Sequence, residues 1–213
     1  MLPIHVIKFE KKEYLNMYKA IKRTFDFILS ILGIIILLPL FIIISLIIKL
    51  ESKGPIFYAQ RRIGKNGKVF NMYKFRSMKV GAEKFGVYEK ENDPRVTNVG
   101  KFIRKVSIDE LPQLFNIVKG EMSFIGPRPV LTYHPWHFED YTPFQKRRFS
   151  LRPGVTGWAQ INGRKNVEWN RRIELDIYYV EKLSLKLDII IFFRTFIKVI
   201  LLKDNFNKDK TVD

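Results

Sequence analysis

Two carboxylates stand side by side at Asp109 and Glu110, within Ser107-Ile108-Asp109-Glu110-Leu111-Pro112-Gln113-Leu114-Phe115-Asn116. The segment reads as the start of a helix, and two roles fit it. Ser107 with Glu110 matches the S-x-x-E capping box, in which both side chains only satisfy the first backbone N–H groups. The chemical role uses the same physics: the positive end of a helix favours ionised Asp109 and keeps it available as a nucleophile. Neighbouring helical residues project about 100° apart, so one carboxylate can attack while the other holds a divalent cation. Oxygen ligands beside phosphate suit Mg²⁺, which is usually held by one or two carboxylates plus substrate oxygens.

Cations surround this pair in the sequence. Arg104 lies one turn before Ser107, Arg128 sits between Pro127 and Pro129, Arg152 precedes Pro153-Gly154, and Arg164 follows Gly163. Guanidinium forks match phosphate oxygens. Any one of these is an ordinary surface charge, but several, three of them beside proline or glycine, near a carboxylate pair suggest a diphosphate site. Lys74 and Arg76 would share one face of an extended strand, either as a paired cationic site or as two solvated residues. His134 and His137 are separated by Pro135 and no HExxH pattern occurs, so the histidines do not suggest a metal site. Cysteine is absent, which excludes disulfides, thiolate nucleophiles and zinc–thiolate sites.

The elements that must position these residues begin with a hydrophobic stretch. No charge occurs from Phe27 to Ile48, long enough to span a bilayer. The run starts too far from Met1 and is too long for a cleaved signal peptide. Pro39 removes a helical hydrogen bond in its middle. Lysines and arginines flank both ends: Lys19, Lys22 and Arg23 before, Lys49, Lys53, Arg61 and Arg62 after. The positive-inside tendency places both ends on the cytoplasmic side. A helix–break–helix entering one leaflet and returning satisfies both observations, with arms of roughly 18 and 15 Å; an ordinary spanning helix is the alternative.

Further along, Ile56–Arg62 and Lys68–Arg76 flank Gly64-Lys65-Asn66-Gly67 as a β-hairpin. Residues 81–99 read as a polar loop, helical signals run from Gly100 through Val118, and Val167–Val180 is predicted helical. Leu185–Leu202 is strongly apolar with Lys186, Asp188, Arg194 and Lys198 interrupting it, which predicts an interfacial amphipathic helix over a core helix. The expected architecture is α+β and mostly helical: a monotopic membrane protein with a leader (1–20), a re-entrant membrane helix (21–50), a small cytoplasmic catalytic domain (51–183), and an interfacial C-terminal helix and tail (184–213). The chain carries 38 lysines and arginines against 21 acidic residues, a net charge of +17, and 46% hydrophobic residues. That excess calls for anionic partners. The charges are dispersed and accompany an apolar segment, which argues against nucleic acid as the partner.

Four stretches together resemble the monotopic phosphoglycosyl transferases, a bacterial sugar transferase family: Tyr73-Lys74-Phe75-Arg76-Ser77-Met78; Ser107 through Asn116; Gly120 through Pro129; and Arg152 through Arg164. The likeness covers roughly residues 20 to 202. It implies that Asp109 attacks the β-phosphate of a UDP-sugar, releasing UMP, and that polyprenyl (undecaprenyl) phosphate then takes the sugar phosphate from the enzyme at the cytoplasmic face of the inner membrane. It implies a Mg²⁺ dependence with Glu110 as metal ligand. Lys74, Arg104 and Arg164 would contact phosphates or the nucleotide sugar, Pro127, Arg128 and Pro129 would shape the nucleotide pocket, and Asp176 matches a family position without an evident role. Arg76, Arg152 and Asp176 belong to the same candidate substrate-binding set. The family often has Ser-Pro at the membrane break; here it is Leu38-Pro39. The likeness is to the catalytic form without a multi-span N-terminal extension. A glycosyltransferase moving only the sugar and releasing UDP is the rival enzyme, and the chain contains no D-x-D motif to support it.

Overall fold

The computed structural model describes residues 4–86, 93–163 and 167–200, with side chains described from Glu13 to Lys198. A single helix, α1 (Ile4–Glu51), opens the chain. At 1.5 Å per residue its length is about 72 Å, more than twice the hydrocarbon thickness of a bilayer. The helix continues through Pro39, where a break was expected, and no boundary separates residues 4–20 from the apolar stretch. Proline removes one hydrogen bond from the ladder, and packing of the adjacent Leu37, Leu40 and Phe41 accompanies the helix through that position. Ser30 and Ser45 donate to the carbonyls of Asp26 and Phe41, four residues back.

One side of α1 carries the rest of the protein. Tyr18 joins a cluster with Tyr179, Leu183, Leu187 and Ile191. Ile34 and Leu37 meet Phe70, Met72, Leu114 and Ile117, and Phe41, Ile44 and Ile48 close over Phe75 and Ile103. The opposite side, including Phe25, Ile28, Leu32, Ile36, Ile43, Leu46 and Leu50, is exposed. Glu13–Glu51 is long and apolar enough to cross a membrane, with a mean hydropathy of 3.3 in its most apolar window.

The expected hairpin is present as β1 (Phe57–Ile63) and β2 (Val69–Phe75), antiparallel from Phe57↔Phe75 to Ile63↔Val69. Asn66 and Gly67 turn it with φ of 55° and 79°, the left-handed region that Asn and Gly tolerate best. A short strand, β4 (Val130–Leu131), pairs with the other edge of β1. Separately, β3 (Ser123–Ile125) and β5 (Gly154–Thr156) run parallel.

The helical stretch expected from Gly100 to Val118 is divided into α2 (Asn98–Lys105), a tight 3₁₀ turn at Ile108–Glu110, and α3 (Gln113–Lys119). Thr97 caps α2, its Oγ accepting from the Gly100 amide at 2.9 Å. Two short helices, α4 (Pro143–Lys146) and α5 (Trp158–Ile161), precede α6 (Trp169–Glu181) and α7 (Leu185–Ile200). Along α7, Leu185, Ile189, Phe192, Phe193, Phe196 and Ile197 are exposed while Leu187 and Ile191 are buried. Asp188, one of the charges interrupting the apolar run, does not face outward. It is buried, accepting from Tyr18 at 2.7 Å, Lys22 at 2.7 Å and Tyr179 at 2.6 Å, and so ties α7 and α6 to α1.

Candidate functional site

The 3₁₀ turn holds the two adjacent carboxylates. The capping box expected from Ser107 and Glu110 does not form: Ser107 is left-handed at φ 60° and its side chain caps nothing. A left-handed serine carries local strain of the kind that clusters at functional sites. The chain therefore turns before α3 begins, and Glu110 extends away from the helix start. Asp109, 6% exposed, is buried in the turn.

Glu110 meets Lys74 of β2, its Oε1 accepting from Nζ at 2.7 Å. Asn116 of α3 fixes the register that allows this. It is fully buried, accepts from the Tyr73 amide at 2.9 Å, and donates to the Asn71 carbonyl at 2.7 Å and to Glu121 at 2.6 Å. These bonds lock β2 on α3, so the residue after Tyr73 faces the turn before α3. Arg128 approaches Glu110 from the other side at 3.9 Å. Arg62, Met72, Gln113, Pro129, Gly154 and Val155 complete a narrow cleft around Glu110 and Arg128.

Glycines bring the Arg128 loop to this cleft. A Cβ on Gly126, Gly154 or Gly157 would fall within 2.4 Å of facing backbone, so the two segments approach as only glycine permits. Arg62 was read from sequence only as a charge flanking the apolar segment. It donates to the Pro129 carbonyl at 3.1 Å and to Gln60 at 2.6 Å. Burial, reinforced by neighbouring Arg128, lowers its pKa to about 10, so it remains a cation at neutral pH. Spacing offered one signal for it: Gln60 and Arg62 share a strand face.

Two other predicted cations, Arg76 and Arg152, turn to helix ends. Lys74 and Arg76 do not form a paired site. The Arg76 guanidinium turns to the end of α1, donating to the carbonyls of Ser52 at 2.7 Å and Lys53 at 2.8 Å, where unpaired helical carbonyls attract cations. Gly54, at φ 129°, leaves room for it; a Cβ there would lie 2.1 Å from Arg76 Nη1. Arg152 does the equivalent at α3, its Nε donating to the Gly120 carbonyl at 2.7 Å, beside Arg23, which takes the Ile117 and Val118 carbonyls. Arg104 is half-buried near the end of α2. Arg164 lies outside the described residues. Asp176, predicted to touch substrate, is sealed at 1% exposure in an ion pair with Arg148, itself 2% exposed. Burial pushes its carboxyl pKa up, and Arg148 opposes the shift.

Among the described residues no group of three acidic, histidine or cysteine side chains gathers as a metal cage. The donor set still suits Mg²⁺ held mainly by a substrate, because Glu110 offers one carboxylate at a cleft lined with phosphate-seeking cations.

A small α+β domain lies along one long apolar helix, with Glu110 and the cations Arg62 and Arg128 at one cleft and Lys74 paired to Glu110. The chain belongs to the bacterial sugar transferase family, whose profile matches residues 17–202. It is 43% identical over 182 residues to the UDP-N-acetylgalactosamine-undecaprenyl-phosphate N-acetylgalactosaminephosphotransferase of Aeromonas hydrophila. It is 40% identical over 201 residues to exopolysaccharide production protein ExoY of Sinorhizobium fredii, and 40% over 202 residues to the undecaprenyl-phosphate galactose phosphotransferase of Salmonella typhimurium. These matches cover 84%, 87% and 87% of the chain. They cover 88% of ExoY, but the chain spans less than half of the other two, 43% and 41%.

Proposed function

We propose that the protein transfers a sugar 1-phosphate from a UDP-sugar to undecaprenyl phosphate, releasing UMP, and so starts assembly of a surface polysaccharide or glycoconjugate. The convergence of Lys74 and Arg128 on Glu110, next to buried Asp109, carries this reading. In the first half-reaction an Asp109 carboxylate oxygen attacks the β-phosphorus. The phosphorus–oxygen bond to the α-phosphate breaks and UMP leaves, with Lys74, Arg128 and Arg62 balancing the phosphate charge. An aspartyl phosphosugar remains on the enzyme. In the second, a phosphate oxygen of undecaprenyl phosphate attacks the same phosphorus and the bond to Asp109 breaks, restoring the carboxylate and leaving a sugar diphosphate on the lipid. Glu110 would hold Mg²⁺, which supplies charge neutralisation on the phosphoryl oxygens. Lys74 then exchanges its carboxylate partner for substrate phosphate.

The same reading places the protein on the cytoplasmic face of the inner membrane as a monotopic anchor. Its support is that both ends of the apolar stretch are tied to one domain: Tyr18 and Lys22 to Asp188, Glu51 to the α2 amides, Ser52 and Lys53 to Arg76. The outer faces of α1 and α7 would lie in one leaflet, α7 as an interfacial helix. A chain without cysteine suits a topology test: single cysteines at Glu13 and Lys53 label from the same side in the monotopic arrangement and from opposite sides in a spanning one.

The reaction is tested by incubating detergent-solubilised protein with UDP-sugars, undecaprenyl phosphate and Mg²⁺. Mg²⁺-dependent UMP that disappears in Asp109→Asn supports the proposal and names the donor. Release of UDP would mean simple glycosyl transfer, and the nucleophile assignment would fall.

A further inference from the structure

Residues Pro127 to Pro129 form a loop whose carbonyls are all taken. Pro127 accepts from the Gly154 amide at 2.9 Å, Arg128 from Arg148 Nη2 at 3.2 Å, and Pro129 from Arg62 Nη1 at 3.1 Å. Two prolines fix φ at either side of Arg128 and contribute no amide. The preceding Gly126 amide is bound to the Thr156 carbonyl at 2.9 Å. What projects from this rigid loop is the Arg128 side chain, 44% exposed, reaching toward Glu110.

The bond to the Arg128 carbonyl comes from a costly source. Arg148 and Asp176 are both removed from water, in a dry cluster with Ile63, Val130, Tyr141, Phe149, Ile173 and Ile177. A buried ion pair is often no better for stability than apolar side chains of similar volume. Simple packing therefore gives no reason for an arginine and an aspartate here. Their placement beneath the main chain of a cleft arginine does give one, because a misplacement of about 1 Å at a reacting group costs on the order of 100-fold in rate.

We propose that the Arg148–Asp176 pair is a positioning clamp: it holds the main chain of Arg128 so that the guanidinium faces Glu110 and the substrate diphosphate. Arg62 performs the same task at Pro129 from β1. Neither Arg148 nor Asp176 touches substrate. The inference rests on the proposed reaction for its catalytic consequence, though not for the clamp itself.

The test replaces the pair by apolar side chains, Arg148→Met with Asp176→Leu, alone and combined with Arg128→Ala. The clamp predicts a loss of about 10- to 100-fold in kcat/KM for UMP release. It also predicts that adding Arg128→Ala to the apolar pair costs less than about twofold more, since both changes remove one contribution. Unchanged kcat/KM, or losses that multiply, would overturn it. Independently of any reaction, Arg128 has the one main-chain amide between Pro127 and Pro129. Hydrogen exchange of a peptide covering 126–131 should quicken at least about tenfold when the pair is removed; unchanged exchange would overturn the clamp. If wild-type protein releases no UMP, the reaction reading fails while the exchange result still judges the clamp. Should the apolar pair not fold, Asp176→Asn carries the same measurements, because the amide keeps the shape but loses the charge.

Discussion

Two carboxylate–cation pairs lie on either side of the Arg128 loop, and they differ in one physical respect. Lys74 and Glu110 are each 20% exposed, at a cleft; Arg148 and Asp176 are sealed. An ion pair near water is worth about 1 kcal/mol or less and exchanges partners readily, which suits groups that must release each other to take up phosphate or a metal. A sealed pair cannot exchange without unfolding its surroundings, which suits a fixed reference point. The same residue types thus serve as reagent in one place and as framework in the other, and solvent access decides which.

The widest separation should appear between Asp109→Asn and changes at the sealed pair. Asp109→Asn should lower turnover at least about 1000-fold, as expected for a lost nucleophile, and abolish any phosphosugar adduct detected on the intact protein by mass spectrometry. An adduct on the variant would move the nucleophile elsewhere. Next in size, Arg148→Met alone should destabilise the fold by about 3–5 kcal/mol, because a buried charge loses its partner, whereas adding Asp176→Leu should restore most of that. Thermal melting of the two variants checks the recovery; equal destabilisation would show that the pair is not isolated from solvent.

At the open pair the pattern should invert. Lys74→Met should cost about 1 kcal/mol or less in stability yet about 100-fold in kcat/KM, so melting and activity assays on one sample would separate the two roles. A large loss of stability there would erase the contrast between the pairs. The smallest effect concerns the rim of the sealed cluster, where His134 packs edge-on to Trp169 with ring centroids 5.3 Å apart. Burial, then Arg172 and Arg62, lower its pKa below the ordinary histidine value. The unfolded chain therefore binds a proton first as pH falls through about 6.5, and stability decreases below that pH. His134→Gln should show a shallower fall in melting temperature between pH 7.5 and 5.5 than the unsubstituted protein.

Arg76, Arg152 and Asp176 show where sequence reading stops. Each stands in a stretch that carries the family likeness or matches a family position, and along the chain nothing sets them apart from Lys74 or Arg128. Arg76 and Arg152 found helix ends instead, because the carbonyls of Ser52, Lys53 and Gly120 lacked partners. Such demand arises only once helices terminate in space. Ser107 is similar: its spacing to Glu110 matches a cap, but its left-handed backbone releases Glu110 toward Lys74.

By itself the sequence determined what depends on short range. The hairpin about Asn66-Gly67, the apolar helix, the adjacent carboxylates and the family likeness all follow from local spacing and side-chain type. The tertiary structure decided which cations reach Glu110, that α1 runs on through Pro39 against one domain, and that Asp176 lies under the Arg128 loop rather than at the cleft. Those outcomes join residues such as Lys74 with Glu110, Arg62 with Pro129, and Arg148 with Asp176 and the Arg128 carbonyl. Burial and hydrogen-bond demand select such partners only after the chain has closed on itself, and neither is written in the order of residues.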